Sequence, residues 1–217
     1  MERKKGYKTI PFLSLFIVLA ITLSQPVFAQ YSIAQPHHGF FWNGYIWDET
    51  ETNGITVSGA HQRILTIEGT ATSSYWNSEG RISKKIYQKS VQVEMALTDL
   101  PASASSASIW FTKDSQNALI VEKHRDVTDP QYNTNVFIVE RINGVDHFKY
   151  VSADSPSANF DTYKIRKTPA GYETYYNGTL IYTGNLNLSE YNKVKLVGVA
   201  RALGDQVKAQ FRKYKEN

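Results

Sequence analysis

The segment Glu122-Lys-His-Arg-Asp126 is the densest cluster of functional side chains in this sequence. Successive side chains of an extended strand point to opposite faces, so Glu122, His124 and Asp126 would share one face. There they would hydrogen-bond sugar hydroxyls or hold a metal ion. A Glu-x-His-x-Asp run without further ligands does not specify a metal, and the plain alternative is a charged strand end turned to solvent. Flat rings are the second resource: Trp42, Trp47, Trp76 and Trp110, with Tyr75, Tyr175 and Tyr176. Aromatic faces stack on apolar ligand faces while fixed polar groups beside them orient the ligand, although β-sheet cores use the same residues. Tyr75-Trp76 lies in the Ser/Asn-rich stretch 72–79 and is expected to be exposed, and Trp110 lies one strand before Glu122. His37-His38 is a further metal candidate, or simply a surface pair. No nucleophile elbow, zinc-protease helix, phosphate loop or dinucleotide fingerprint occurs.

These residues need a scaffold, and the alternation of apolar and polar residues supplies one. In residues 90–100, Val91, Val93, Met95 and Leu97 face one way and Gln92, Glu94 and Thr98 the other, the mark of a half-buried strand. Similar runs occupy 64–68, 80–87, 108–113, 118–123, 135–141, 163–166, 172–176, 180–182, 193–200 and 206–214, with 101–106 as a small-residue loop. Asn143-Gly144 and Asn177-Gly178 fall between such runs and predict type I′ hairpins. Asn177-Gly-Thr179 and Asn187-Leu-Ser189 also fit the glycosylation pattern, though turn chemistry already accounts for the first. About ten to twelve short strands with no long helix predict an all-β, two-sheet antiparallel sandwich.

The ends and the composition narrow the setting. Arg3, Lys4, Lys5 and Lys8 precede an apolar run over 12–23, and Pro26 with the small residues ending at Ala29 favours cleavage before Gln30. Residues 1–29 are therefore expected to be a signal peptide, with an uncleaved N-terminal anchor as the alternative. Residues 30–60 are expected to be an irregular arm and first strand, and 61–217 the remainder of a single β-sandwich domain. Most of the net charge of +4 sits in the leader, so no phosphate-seeking field is implied and nucleic acid is not an expected partner. Zero cysteines exclude disulfides, thiolate metal sites and cysteine nucleophiles.

Two stretches resemble the concanavalin A-like lectin/glucanase superfamily. Residues 163–178 end in Tyr175-Tyr-Asn-Gly178 and are similar to the laminin-G-type Y-x-N-G signature. Ser78-Glu-Gly-Arg-Ile-Ser-Lys-Lys85, Val91-Gln-Val-Glu-Met-Ala-Leu97 and Ala107-Ser-Ile-Trp-Phe111 resemble three successive strands of the family-16 glycoside hydrolases (S-G-x-I, E-x-R-x-K and a tryptophan-bearing strand). Glu79 interrupts the first pattern, and Ala96 and Thr98 replace the Arg and Lys of the second. The resemblance spans most of residues 60–200 and implies a jelly roll. In those hydrolases the next strand carries E-[aliphatic]-D-[aliphatic]-x-E. Aligned on it, Asn117 replaces the nucleophile, Leu119 replaces the Asp, and Glu122 alone remains. The family mechanism needs two carboxyl groups, one ionised and one protonated, so the catalytic motif is not retained.

The expectation is therefore an exported protein, secreted or held at the cell envelope, that binds polysaccharide or a surface glycan without cleaving it. Trp76, Trp110, Glu122, His124 and Tyr75 would contact the sugar. The enzyme alternative is a glycoside hydrolase or polysaccharide lyase pairing Glu122 with Glu94 or Glu140 across about 5–9.5 Å. A structural or adhesive surface protein is the second alternative. No cofactor is expected. Calcium, which supports many lectins of the superfamily, would fall on the Asp- and Asn-bearing segment 126–135.

Overall fold

A computed structural model describes residues 37–74, 76–98, 100 and 103–217, with the backbone alone for His37 and His38. The expected signal peptide and Tyr75 lie outside the described residues, as do the side chains of the His37-His38 pair. In chain order the strands are β1 (His37–Trp42), β2 (Tyr45–Glu51), β3 (Ile55–Ser58), β4 (Leu65–Thr70), β5 (Ser78–Lys85), β6 (Ser90–Leu97), β7 (Ala104–Thr112), β8 (Ala118–Asp126), β9 (Thr134–Ile142), β10 (Val145–Val151), β11 (Asp161–Thr168), β12 (Gly171–Tyr176), β13 (Thr179–Gly184), β14 (Lys193–Ala200) and β15 (Gln206–Glu216). A 3-10 turn at Pro130–Tyr132 is the one helical element among the described residues.

The strands pair antiparallel into an eight-stranded sheet, β1-β2-β5-β14-β7-β8-β9-β10, and a seven-stranded sheet, β13-β12-β11-β6-β15-β4-β3. The molecule is thus the two-sheet antiparallel sandwich that the alternation predicts. The expected face of β6 (Val91, Val93, Met95 and Leu97) is fully buried between the sheets, while Gln92 and Glu94 are partly exposed. Asn143-Gly144 and Asn177-Gly178 both take positive φ and turn β9 into β10 and β12 into β13. Between the sheets, Gly80 and Gly198 are cross-strand partners on β5 and β14. A Cβ on either would lie 2.6 or 2.7 Å from Cγ2 of Ile67, which reaches across from β4. Glycine at both positions makes the notch that Ile67 fills.

Two segments differ from expectation. Residues 37–58 form three strands, because Asn43-Gly44 and Asn53-Gly54 adopt the same left-handed pair of turn conformations as the two hairpins above. Ala104 to Ser106 belong to β7 and are not loop, since a small-residue run paired on both sides fits a buried strand as well as a loop.

Besides the core between the sheets, a second apolar cluster lies on the outer face of the eight-stranded sheet. It contains Ala118, Ile120, Phe137 and Val139, with Trp110 and Tyr132 packed against it. Apolar surface collected on a sheet face that no second sheet covers is where the candidate site lies.

Candidate functional site

The site's floor is built by β7, β8 and β9. Strict alternation on β8 turns Leu119 and Val121 into the core and turns Ile120, Glu122, His124 and Asp126 toward a cleft of about 430 Å³ on the outer face. Cross-strand pairing sets Ser108 opposite Glu122, Ser106 opposite His124, and Glu122 opposite Phe137. The β8–β9 ladder slips between Glu122 and His124, a bulge of the kind that re-aims side chains beside functional sites.

This placement corrects the assignment at Asn117. In a regular strand, positions an odd number apart face opposite ways, so Asn117 and Leu119, five and three residues before Glu122, do not share its face. Leu119 is fully buried in the core. Asn117 lies before β8, where its Nδ2 donates to Asp114 and its Oδ1 accepts the Asn143 amide at 3.1 Å. The cleft-facing run is Glu122, His124 and Asp126. The segment 122–126 is not a solvent-facing strand end either: Lys123 through Asp126 are all buried. Lys123 and Arg125 have the inward parity and bond the loop before β11, with Lys123 Nζ 2.9 Å from the Ser157 and Asn159 carbonyls and 2.7 Å from Asp161. Arg125 donates to the Pro156 carbonyl at 3.1 Å.

Trp76, Trp110, Glu122 and His124 all line the one cleft. His124 Nδ1 and Glu122 Oε1 lie 2.8 Å apart, and the imidazole sits 5.3 Å from the Trp76 ring. Trp76 is held at φ 60, a left-handed conformation that bulky residues adopt only when their surroundings impose it. Its amide donates to the Arg201 carbonyl at 2.8 Å. The Trp110 indole donates to Ser108 Oγ at 2.8 Å, and the Arg141 and Lys195 cations each lie 5.2 Å from its ring.

The opposite wall is aromatic. Tyr132, Phe137 and Phe148 form a cluster with ring centroids 5.1 to 5.7 Å apart, and Phe148 is 59 % exposed. Sequence reading missed this wall. Phe148 lies on an edge strand of which every residue but Tyr150 is exposed, so periodicity carries no signal there; the alternation of Phe137 and Val139 against Val136 and Ile138 was the available clue. Ser106 was missed as well. Its buried hydroxyl has no hydrogen-bond partner among the described residues, yet the residue lines the cleft.

The other candidates sit elsewhere. Trp42 and Trp47 are buried in the core. Tyr175 lies on β12 of the opposite sheet, with the Lys164 and Arg166 cations against its ring, and Tyr176 packs against the core edge-on to Tyr163. Glu94 is on β6 of the seven-stranded sheet, held by Arg212 at 2.6 Å and Lys213 at 2.8 Å. Glu140 accepts from the Tyr172 hydroxyl at 2.9 Å and pairs with Lys149 at 3.0 Å. Tyr172 belongs to the other sheet, so Glu140 points between the sheets. Neither acid meets Glu122 across the cleft.

Three other carboxylates of the cleft have basic partners, while that of Asp129, which also lines it, accepts only a 3.4 Å bond from Gln131 Nε2 among the described residues. Asp126 pairs with Arg201, Glu79 with Arg81, and Asp146 with Arg141 through two bonds of 2.7 and 2.8 Å. Burial alone would raise the Asp126 pKa, but hydrogen bonds from Thr128 and Asp129 and the Arg201 guanidinium outweigh it and hold the carboxyl below its usual value. Those bonds also occupy the oxygens that a calcium ion would need. Asn135 is likewise committed to Ser155 and Ser157. Among the described residues no group of three or more His, Asp or Glu gathers as a metal set.

This arrangement of sheets is shared with solved structures. A lichenase from a mouse hindgut metagenome superposes with a TM-score of 0.57 at 15% identity, over 85% of this chain and 99% of that one. A family-16 mixed-linkage glucan enzyme from Bacteroides ovatus, solved with an oligosaccharide product, gives 0.56 at 11% identity, over 81% and 96%. The carbohydrate-binding module CBM66 from Bacillus subtilis gives 0.52 at 14%, over 78% and 95%. The fold is the concanavalin A-like jelly roll. No family model matches the sequence, and no curated protein matches it significantly. At these identities the jelly-roll likeness fixes architecture, and function has to come from the site.

Proposed function

We propose that the protein binds a polysaccharide or surface glycan along the outer cleft of the eight-stranded sheet and does not cleave it. The observation that carries this reading is the pairing of an exposed aromatic wall with a polar floor. Phe148, backed by Phe137 and Tyr132, offers a flat apolar face. Trp76, His124, Glu122 and Ser106 supply ring and hydrogen-bonding groups within the same cleft. Pyranose rings present apolar C–H faces and a rim of hydroxyls, which such a cleft matches. The fold's occurrence in a carbohydrate-binding module and in glucanases supports the sugar class.

The non-catalytic half of the reading rests on charge pairing. Glycoside hydrolysis needs one carboxyl that keeps its proton near neutral pH, usually by apolar burial. Asp126, Glu79 and Asp146 are instead each paired with a guanidinium group, and the Asp126 carboxyl is held below its usual value with the help of Arg201. Glu122 is set against His124. The basic, apolar leader supports an extracellular or cell-envelope location.

The test is a glycan array with polysaccharide pull-down on the purified protein, run beside reducing-sugar release from the same polymers. Phe148→Ala and Trp76→Ala are each expected to weaken binding about thirtyfold, the cost of truncating a central aromatic anchor, with no sugar released. Sugar release that disappears in Glu122→Gln would overturn the non-catalytic reading. Binding untouched by either aromatic substitution would move the site elsewhere.

A further inference from the structure

Beside Trp110, which lines the cleft, the rim of the cleft gathers positive charge that the protein only partly neutralises. Lys195 lies on β14 directly opposite Ser83 of β5 and Trp110 of β7. Its ammonium is 5.2 Å from the indole ring, and the Arg141 guanidinium is equally close. Arg81 lies two residues before Ser83 on the same face of β5, and Lys193 two residues before Lys195 on β14. The two arginines are matched, Arg81 by Glu79 and Arg141 by Asp146. Lys195 is not: it is half-buried, and no ion pair or hydrogen bond to its ammonium occurs among the described residues.

We propose that this end of the cleft is an anion subsite, in which Lys195, seated against Trp110 between the Arg81 and Arg141 ion pairs, receives the carboxylate or sulfate ester of an acidic sugar. The inference rests on the carbohydrate-binding reading and names the class of glycan. Charged groups that burial has partly stripped of water, and that lack an internal partner, gain most from a ligand of opposite sign. The Lys195 pKa is lowered to about 8, first by burial and then by Arg81, Lys193 and Arg141, with Glu79 opposing. A bound anion relieves both the desolvation and the repulsion. Trp110 keeps the stem and ammonium in place meanwhile, through packing and its ring face.

The test compares affinities of the full-length protein for polygalacturonate and alginate, each beside its carboxyl-reduced form, and for carrageenan beside its desulfated form. At least one anionic polymer is expected to bind about tenfold tighter than its neutral counterpart, the worth of one charge-assisted contact. Preference confined to the uronates assigns a carboxylate, and preference confined to carrageenan a sulfate ester. Lys195→Met, which keeps the packing, should erase the preference. Lys195→Arg should keep it, and should also remove its decline as pH rises through about 8. Equal binding of charged and neutral polymers refutes the subsite and leaves glycan binding standing. Preference that survives Lys195→Met refutes it too, because the charge would then come from elsewhere. Failure to bind any polymer, with a blank glycan array, overturns both readings.

Discussion

Replacing Lys123 with methionine asks whether the inward-facing charges of β8 hold the sandwich together. The Lys123 side chain is fully buried, and its ammonium donates to the Ser157 carbonyl (2.9 Å), the Asn159 carbonyl (2.9 Å) and Asp161 (2.7 Å). Methionine preserves the stem and removes all three donors. Breaking a buried pair by deleting one partner costs about 3–5 kcal/mol. Asp161 keeps hydrogen bonds from Ser157 Oγ and Asn177 Nδ2, both at 2.9 Å, so its charge is not stranded and the lower figure applies. The substitution also removes the need to desolvate an ammonium, a penalty visible in the burial that lowers the Lys123 pKa. The expected loss is about 3 kcal/mol, a large fraction of the roughly 5–15 kcal/mol that stabilises a domain.

Urea unfolding of wild type, Lys123→Met, Asp161→Asn and the double variant measures this directly, with an unchanged slope showing that stability alone has moved. Asp161→Asn should cost at least as much as Lys123→Met, because it leaves a buried cation. The double variant should cost less than the sum by about 2 kcal/mol, the coupling expected of groups in one network. A Lys123→Met protein as stable as wild type, or strictly additive costs, would refute the reasoning and make the network dispensable for stability.

Acid sensitivity follows from three carboxylates, Glu94, Asp126 and Asp161, whose pKa values lie below their ordinary ones in the fold. A depressed folded pKa gives stability that is complete above the unfolded value, 3.8 for aspartate, and lost as pH falls through the folded value. Unfolding free energy should therefore drop below about pH 4, and Asp126→Asn should flatten that limb in a pH series. Gly198→Ala should cost about 1–3 kcal/mol by chemical denaturation, since the new methyl meets Ile67 at 2.7 Å. Gly178→Ala should cost about 1 kcal/mol, because that turn position has φ 83 and open space around it, leaving backbone strain as the only penalty. An alanine variant matching wild type at either glycine would contradict the packing or the turn argument respectively.

Legibility in the sequence tracked whether a residue's neighbours imposed a period. β6 was readable because one of its faces is buried and the other is not, and the hairpin at Asn177-Gly178 because few other dipeptides fit two successive positive φ values. The same signal at Asn43-Gly44 and Asn53-Gly54 was present but masked by aromatic residues without a clear alternation. β7 and β8 are buried on nearly every residue. A strand covered on both faces loses its two-residue period, so register had to be taken from a distant resemblance, and at Asn117 it was taken on the wrong parity. Phe148 and Arg201 reach the cleft from β10 and from the turn after β14, and nothing local to either residue records that meeting.

β8 explains why an apparently charged segment builds a specific site. Five consecutive residues, Glu122 to Asp126, carry ionisable side chains, and pleating sends them alternately to two environments. The inward pair, Lys123 and Arg125, bonds the carbonyls of the loop leading into β11, and Lys123 also the Asp161 carboxylate. Buried charge without such partners would be prohibitive, so the loop and the strand specify each other's position. A slip of one residue would place Glu122 and His124 against backbone carbonyls, which an ionised carboxylate cannot bond, and would expel the cations into the cleft. The inner network thereby fixes which groups face the ligand. On the outer side the same economy of pairing holds for Asp126 and Arg201, leaving Lys195, Ser106 and the Phe148 ring as the groups whose interactions the protein itself does not complete. A ligand that completes them would bring an anionic group, a hydroxyl or acceptor, and a flat apolar face, and an acidic pyranose carries all three.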